Sequence, residues 1–245
     1  MWKNETFLAA LLLTATSPAL ACEDMTFEEV PFTICEADAQ TDSIRLFLRD
    51  EDGAVHGSFG SVDAELAGDG LALRFAMNGG MYHDDRAPVG HYVEDGVEVM
   101  RVIPNAGPGN FGMLPNGVFC MRDNRADVFE TMAFVAAAPE CRYATQSGPM
   151  LVIDGELHPR FLPDSTSTFV RNGVGSSADG RRVVFAISNA PVTFHTFARL
   201  FRDALGVPNA LFLDGNVSRL YDAEAGRSDF GRTMGPILGV VDPNG

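Results

Sequence analysis

Apolar and polar positions alternate in short runs along most of the chain. Ser43-Ile44-Arg45-Leu46-Phe47-Leu48-Arg49 reads as a strand, Asp50-Glu51-Asp52-Gly53 as the turn after it, and Val55 to Phe59 as a second short strand. Further strands are predicted over Leu71–Met77, Tyr92–Val93, Val97–Ile103, Val118–Met121, Ala126–Glu130, Met150–Ile153, Arg182–Ile187, Ala210–Leu213 and Ile237–Val241. Helical spacing is scarce. Phe194, Phe197, Ala198, Phe201 and Leu205 recur on one face, Thr193 can cap the start, and Gly206 with Pro208 ends the run, so a helix is predicted over Thr193–Leu205. Its opposite face carries His195, Arg199 and Arg202, read as solvated. A shorter helix is predicted over Ser61–Ala67. Three long connections remain, Asn78–Gly90, Pro104–Gly117 and Pro159–Arg171, and loops of that length in a compact domain are usually functional or disordered. With no linker, repeat or composition break, the pattern predicts one α+β domain built on mixed, largely antiparallel sheet with few helices.

The first 21 residues change this picture at one end only. Lys3, the apolar run Phe7 to Leu13 and Ser17-Pro18-Ala19-Leu20-Ala21 read as a secretory leader, which leaves residues 22–245 as the mature domain. No other stretch is long and apolar enough to span a bilayer. The expectation is a periplasmic or secreted protein. A lipid anchor through Cys22 is the alternative. The four cysteines, Cys22, Cys35, Cys120 and Cys141, are an even number in a chain read as exported, which points to disulfides. Three pairings are possible, and the separations favour Cys22 with Cys35 and Cys120 with Cys141.

Composition then removes function classes. The formal charge of −15 repels phosphate backbones and anionic lipid, so nucleic acid is not an expected partner. Any anionic substrate must be gripped locally. Lys3 is the only lysine, so the mature domain has no lysine for a Schiff base, a pyridoxal linkage or a phosphate loop. Gly107-Pro108-Gly109-Asn110-Phe111-Gly112 spells a dinucleotide pattern, but Pro115 follows it where a helix would have to run. The five histidines show no metal-ligand spacing, and no metal or cofactor is expected.

What remains is a set of polar and glycine-rich clusters at predicted strand ends. They are Asn78-Gly79-Gly80-Met81-Tyr82, Pro115-Asn116-Gly117, Gln146-Ser147-Gly148-Pro149-Met150, Arg171-Asn172-Gly173-Val174-Gly175 and Asp214-Gly215-Asn216-Val217-Ser218. A single such cluster is ordinarily a tight turn; five together suggest a binding cleft approached by backbone. Asp214 follows an apolar strand as a catalytic carboxylate would. Arg171 beside a glycine-rich segment offers a fork of donors for an anion.

In this order the clusters resemble the phosphodiester glycosidase family, from about Leu71 onward. Asn216 and Val217 stand where that family's final motif has glycines, and Asn172 where it has a threonine. The resemblance implies hydrolysis of the bond between a sugar's anomeric carbon and a phosphodiester, with a small-molecule or glycan phosphodiester as partner. It assigns Arg171 to the phosphate and Asp214 to the oxocarbenium-like transition state, with Asp164 as a second carboxylate. Asn78, Gly79, Gly80, Asn116, Ser147, Gly148, Asn172, Gly215 and Ser218 would orient sugar hydroxyls and phosphate oxygens. Two other readings use the same residues. One is a noncatalytic exported protein that binds envelope glycans, and the other is a metal-dependent phosphodiesterase, which needs a carboxylate or histidine cluster absent at short range.

Overall fold

The structure is a computed structural model, and it describes residues 21–214 and 217–244. The predicted leader, Gly215 and Asn216 lie outside the described residues, apart from Ala21 at the leader's end. The chain opens with a hairpin of β1 (Cys22–Phe27) and β2 (Val30–Asp38), then β3 (Ser43–Phe47), α1 (Phe59–Gly68) and β4 (Leu71–Asn78). Next come β5 (Tyr92–Glu94), β6 (Val97–Met100), β7 (Gly117–Arg122), β8 (Arg125–Glu130), α2 (Thr131–Ala137) and β9 (Tyr143–Ser147). The hairpin of β10 (Met150–Ile153) and β11 (Glu156–Leu157) precedes β12 (Asn172–Ser176), β13 (Arg182–Ser188), α3 (Phe194–Arg199) and β14 (Asn209–Asp214). The chain ends with β15 (Leu220–Asp222), β16 (Arg227–Ser228) and β17 (Ile237–Pro243). The expectation of a single, sheet-rich α+β domain is borne out.

The strands form three antiparallel sheets, ordered β1-β2-β13-β12-β14-β10-β11, β16-β15-β4-β17-β3 and β6-β5-β9-β7-β8. Their inner faces enclose one core. Phe75 of β4, Phe119 of β7 and Phe185 of β13 come one from each sheet, and the Phe185 ring meets the other two edge-on at 5.2 and 6.4 Å. The outer face of the seven-stranded sheet is covered by α3, whose Phe197 packs with Phe32 and Phe201. With both faces covered, β14 is apolar from Ala210 to Leu213: Leu211 and Leu213 enter the central core, while Ala210 and Phe212 enter the layer under α3. Helix α1 covers the second sheet with Phe59, Val62 and Leu66.

Several expectations shift in detail. Val55 pairs with Arg49 through a single bridge and forms no strand, because the backbone turns back at once toward α1. The helix predicted over Thr193–Leu205 is α-helical only to Arg199 and finishes as a π-helical turn, Leu200–Ala204. Thr193 caps it as predicted. Strands β1, β2, β9, β11, β12, β15 and β16 and helix α2 were not predicted. The disulfides join Cys22 to Cys35 across the first hairpin and Cys120 to Cys141, leaving no free cysteine among the described residues. Each closes a short loop, worth about 3 kcal/mol through chain entropy.

Candidate active site

Strand ends from all three sheets meet at one point. Asn172 begins β12 and Asp214 ends β14, and the two residues are register partners in neighbouring strands of the seven-stranded sheet. Arg171, immediately before β12, is thereby brought beside Asp214 although more than forty positions separate them in sequence. Asn78 ends β4 in the second sheet and Ser147 ends β9 in the third.

Buried amides and hydroxyls fasten these ends together. Asn78 Nδ2 donates to Asn172 Oδ1 at 3.1 Å, and Asn172 Nδ2 returns a bond to the Asn78 carbonyl at 3.0 Å. Asn172 Oδ1 also accepts from the Asp214 backbone N–H at 3.2 Å, and Asn78 Oδ1 accepts from the Arg219 N–H at 3.0 Å. Ser147 Oγ donates to the Leu213 carbonyl at 2.8 Å, while Ser218 Oγ donates to the Asp214 carbonyl at 2.6 Å. Asn116 is engaged likewise, donating to the Phe111 carbonyl and accepting from Thr131 Oγ1. Glycine is needed where these ends touch. A Cβ on Gly79 would lie 3.0 Å from the Leu238 nitrogen, and one on Gly148 2.7 Å from Asn116 Cβ. Gly80 adopts φ +153°, open to glycine, and lies against Thr145 Oγ1.

Above this junction lies a cleft of about 610 Å³. Arg171 and Asp214 both line it. Its walls come from the three long loops: Met81, Tyr82 and Arg86 from the first, Asn110 and Phe111 from the second, and Phe169 from the third. Arg232 of the β16–β17 loop completes it. The structure does not place Asp164 there; it is exposed on the loop after β11, and the cleft wall is made without it.

Arg171 is 1% exposed, yet no carboxylate pairs with it among the described residues. Its guanidinium carbon sits 3.6 Å from the centre of the Phe194 ring and 5.4 Å from those of Phe169 and Phe212. Nε donates to the Val192 carbonyl at 2.8 Å, whereas the buried Nη1 has no acceptor among the described residues. Burial alone pulls the guanidinium pKa down from 12.5 to about 10. The aromatic cage holds the cation by ring quadrupoles while leaving a donor and the net charge available to a ligand. Asp214 is 8% exposed. Burial, then the negative charge of Asp214, holds the Tyr82 phenol above its ordinary range, so it stays a neutral hydroxyl. Its Oη donates to the Thr233 carbonyl at 3.1 Å. Among the described residues no three His, Cys, Asp or Glu side chains gather as a metal-ligand group.

Sequence reasoning missed Tyr82 and Arg86 as cleft residues. Tyr82 stood in the first glycine cluster and was legible there. Arg86 carried one signal visible only in the backbone: φ +70°, a left-handed conformation unusual for arginine, with its guanidinium 5.3 Å from the Tyr82 ring.

A three-sheet α+β domain whose glycine-opened strand ends bring a caged guanidinium and a carboxylate to the wall of one cleft defines a class of cleft-bearing sheet proteins. Over residues 72–241 the sequence matches the phosphodiester glycosidase family, and the chain belongs to that family. Protein YigE of Escherichia coli strain K12, described as uncharacterized, is 32% identical over 217 residues, which is 88% of this chain and 84% of YigE. The fold is similar to that of the zebrafish N-acetylglucosamine-1-phosphodiester alpha-N-acetylglucosaminidase catalytic domain auto-inhibited by its pro-peptide. That match has a TM-score of 0.62 at 15% identity, covering 93% of this chain and 85% of the other. A hypothetical protein from Synechocystis matches with a TM-score of 0.58 at 12% identity, covering 90% of this chain and 61% of its own.

Proposed function

We propose that this protein is an exported hydrolase that cleaves the bond between a sugar's anomeric carbon and the phosphate of a phosphodiester. The observation that carries the proposal is the unpaired, caged guanidinium of Arg171 sharing one cleft with Asp214. Family membership agrees with it, and the fold relative from zebrafish is named for action on a sugar-1-phosphodiester. The predicted leader and the two disulfides support export.

In this reading the free Nη1 donor of Arg171 takes a phosphate oxygen of the diester. The anomeric C–O bond breaks, and its electron pair stays on the phosphate oxygen. A phosphate monoester has a second pKa near 6, so it departs without the full protonation an alkoxide would require, and the guanidinium stabilises its charge. Asp214 meets the positive charge that develops at the anomeric carbon, and water supplies the new anomeric hydroxyl. Asn78, Asn116, Asn172, Ser147 and Ser218 act in this reading by holding strand ends, and therefore Arg171 and Asp214, in place. Gly79, Gly80 and Gly148 allow the close approach.

The test is a pair of variants assayed on sugar-1-phosphodiesters. Arg171→Met and Asp214→Asn are each expected to lower kcat/KM by at least about a hundredfold. Near wild-type turnover by either variant removes that residue from its role.

A further inference from the structure

Beside the cleft lies a second recess of about 490 Å³, lined by Ser218, Arg219, Ser228, Asp229 and Phe230, with Val217 common to both. Arg219 is 8% exposed, and among the described residues its guanidinium makes no ion pair. Asp229 stands near enough for its charge to act on Arg219, but it is already committed to another cation. Its carboxylate accepts from Arg227 Nε at 3.0 Å and Nη2 at 2.9 Å, and from the Leu220 N–H at 3.0 Å. Asp229 therefore offsets the Arg219 charge only in part.

The guanidinium also lies close against backbone. A Cβ on Gly231 would fall 2.5 Å from Arg219 Nη2, so the Gly231 backbone, at φ +154°, lies directly against it. Withdrawing a cation from water without a counter-charge costs free energy, and burial lowers the pKa of Arg219 accordingly. An incoming anion offsets that cost. One residue before Gly231, the Phe230 side chain is 96% exposed, a bare ring at the edge of the same recess. A buried guanidinium without an ion pair among the described residues, beside a bare ring, matches a ligand that presents an anionic group next to a ring of its own.

We propose that this recess is a second anion subsite, which takes an aglycone whose second anionic group is gripped by Arg219 and whose ring lies on Phe230. The preferred substrates are then glycosyl esters with two anionic groups, the distal one attached to a ring-bearing moiety. The inference rests on reading the neighbouring cleft as a sugar-phosphodiester site, and the test separates the two.

A nucleoside diphosphate sugar and the methyl phosphodiester of the same sugar are compared as substrates for the wild type, Arg219→Gln and Phe230→Ala. Phe230→Ala guards against misfolding, since its side chain is almost wholly in solvent. Both variants are expected to lower kcat/KM for the nucleotide sugar about tenfold more than for the methyl diester, the effect of one charge-assisted contact. An equal loss on both substrates, or none, overturns the subsite. Inorganic pyrophosphate is titrated in parallel by calorimetry. Binding that weakens about tenfold in Arg219→Gln, with no turnover of any sugar diester by the wild type, keeps the subsite and overturns the hydrolase reading. Pyrophosphate binding unaltered by Arg219→Gln counts against the subsite whatever the turnover.

Discussion

At the scale of single residues the molecule spends stability at one position. Arg171 is a buried cation with no acidic partner among the described residues, held by aromatic rings and backbone carbonyls. Its folded pKa is about 10, below the ordinary 12.5, so between these values the unfolded chain binds a proton that the folded protein does not. Stability contributed by this group therefore rises with pH through that window, and the cost of the buried charge is fully present below about pH 10. Activity has the opposite sign, because only the protonated guanidinium draws phosphate. The kcat/KM profile, which reports the free enzyme, is expected to fall as pH passes about 10. A profile still flat a full unit above that contradicts the assignment. Arg171→Met is expected to keep its thermal midpoint, since a buried unpaired charge gives way to an apolar chain of similar length. Arg171 and Asp214 stood out in the sequence because Arg171 opens a glycine-rich segment and Asp214 stands where an apolar run stops. The partnering of Asn78 with Asn172 was not, since two amides 94 positions apart give no local signal.

At the scale of elements, the cleft depends on how closely β12 and β14 lie. Gly173 and Gly175 permit that approach. A Cβ on Gly173 would come 2.8 Å from the Leu211 carbonyl oxygen, a backbone atom that cannot swing aside. Gly173→Ala is expected to cost about 1–3 kcal/mol of stability, measured by denaturant unfolding, and to lower turnover by separating Arg171 from Asp214. Wild-type stability in this variant would show that the strands have slack. Strands with regular alternation, such as β3 and β4, were readable from their pattern. Strand β12 was not, because Asn172-Gly173-Val174-Gly175 resembles a loop, and its glycines answer to packing against β14. Helix α3 was found by its phenylalanines, but the change to π-helical winding at Leu200 has no counterpart in the spacing. The three long loops, whose length alone singled them out, form the cleft walls.

At the scale of the whole molecule, three sheets close around one core, and strand ends from each of them meet at the cleft. Order of motifs along the chain revealed the family; convergence in space required the sheet connections, which place strands far apart in sequence side by side. A protein of net charge −15 has little general attraction for an anion, so the local guanidinium groups supply it. The central claim is that these groups serve a break at the anomeric carbon. Turnover of a sugar-1-phosphodiester in oxygen-18 water tests it most directly, with the products read by mass spectrometry. The account predicts label in the released sugar and none in the phosphate monoester. Label in the phosphate, marking cleavage of a P–O bond, would contradict it.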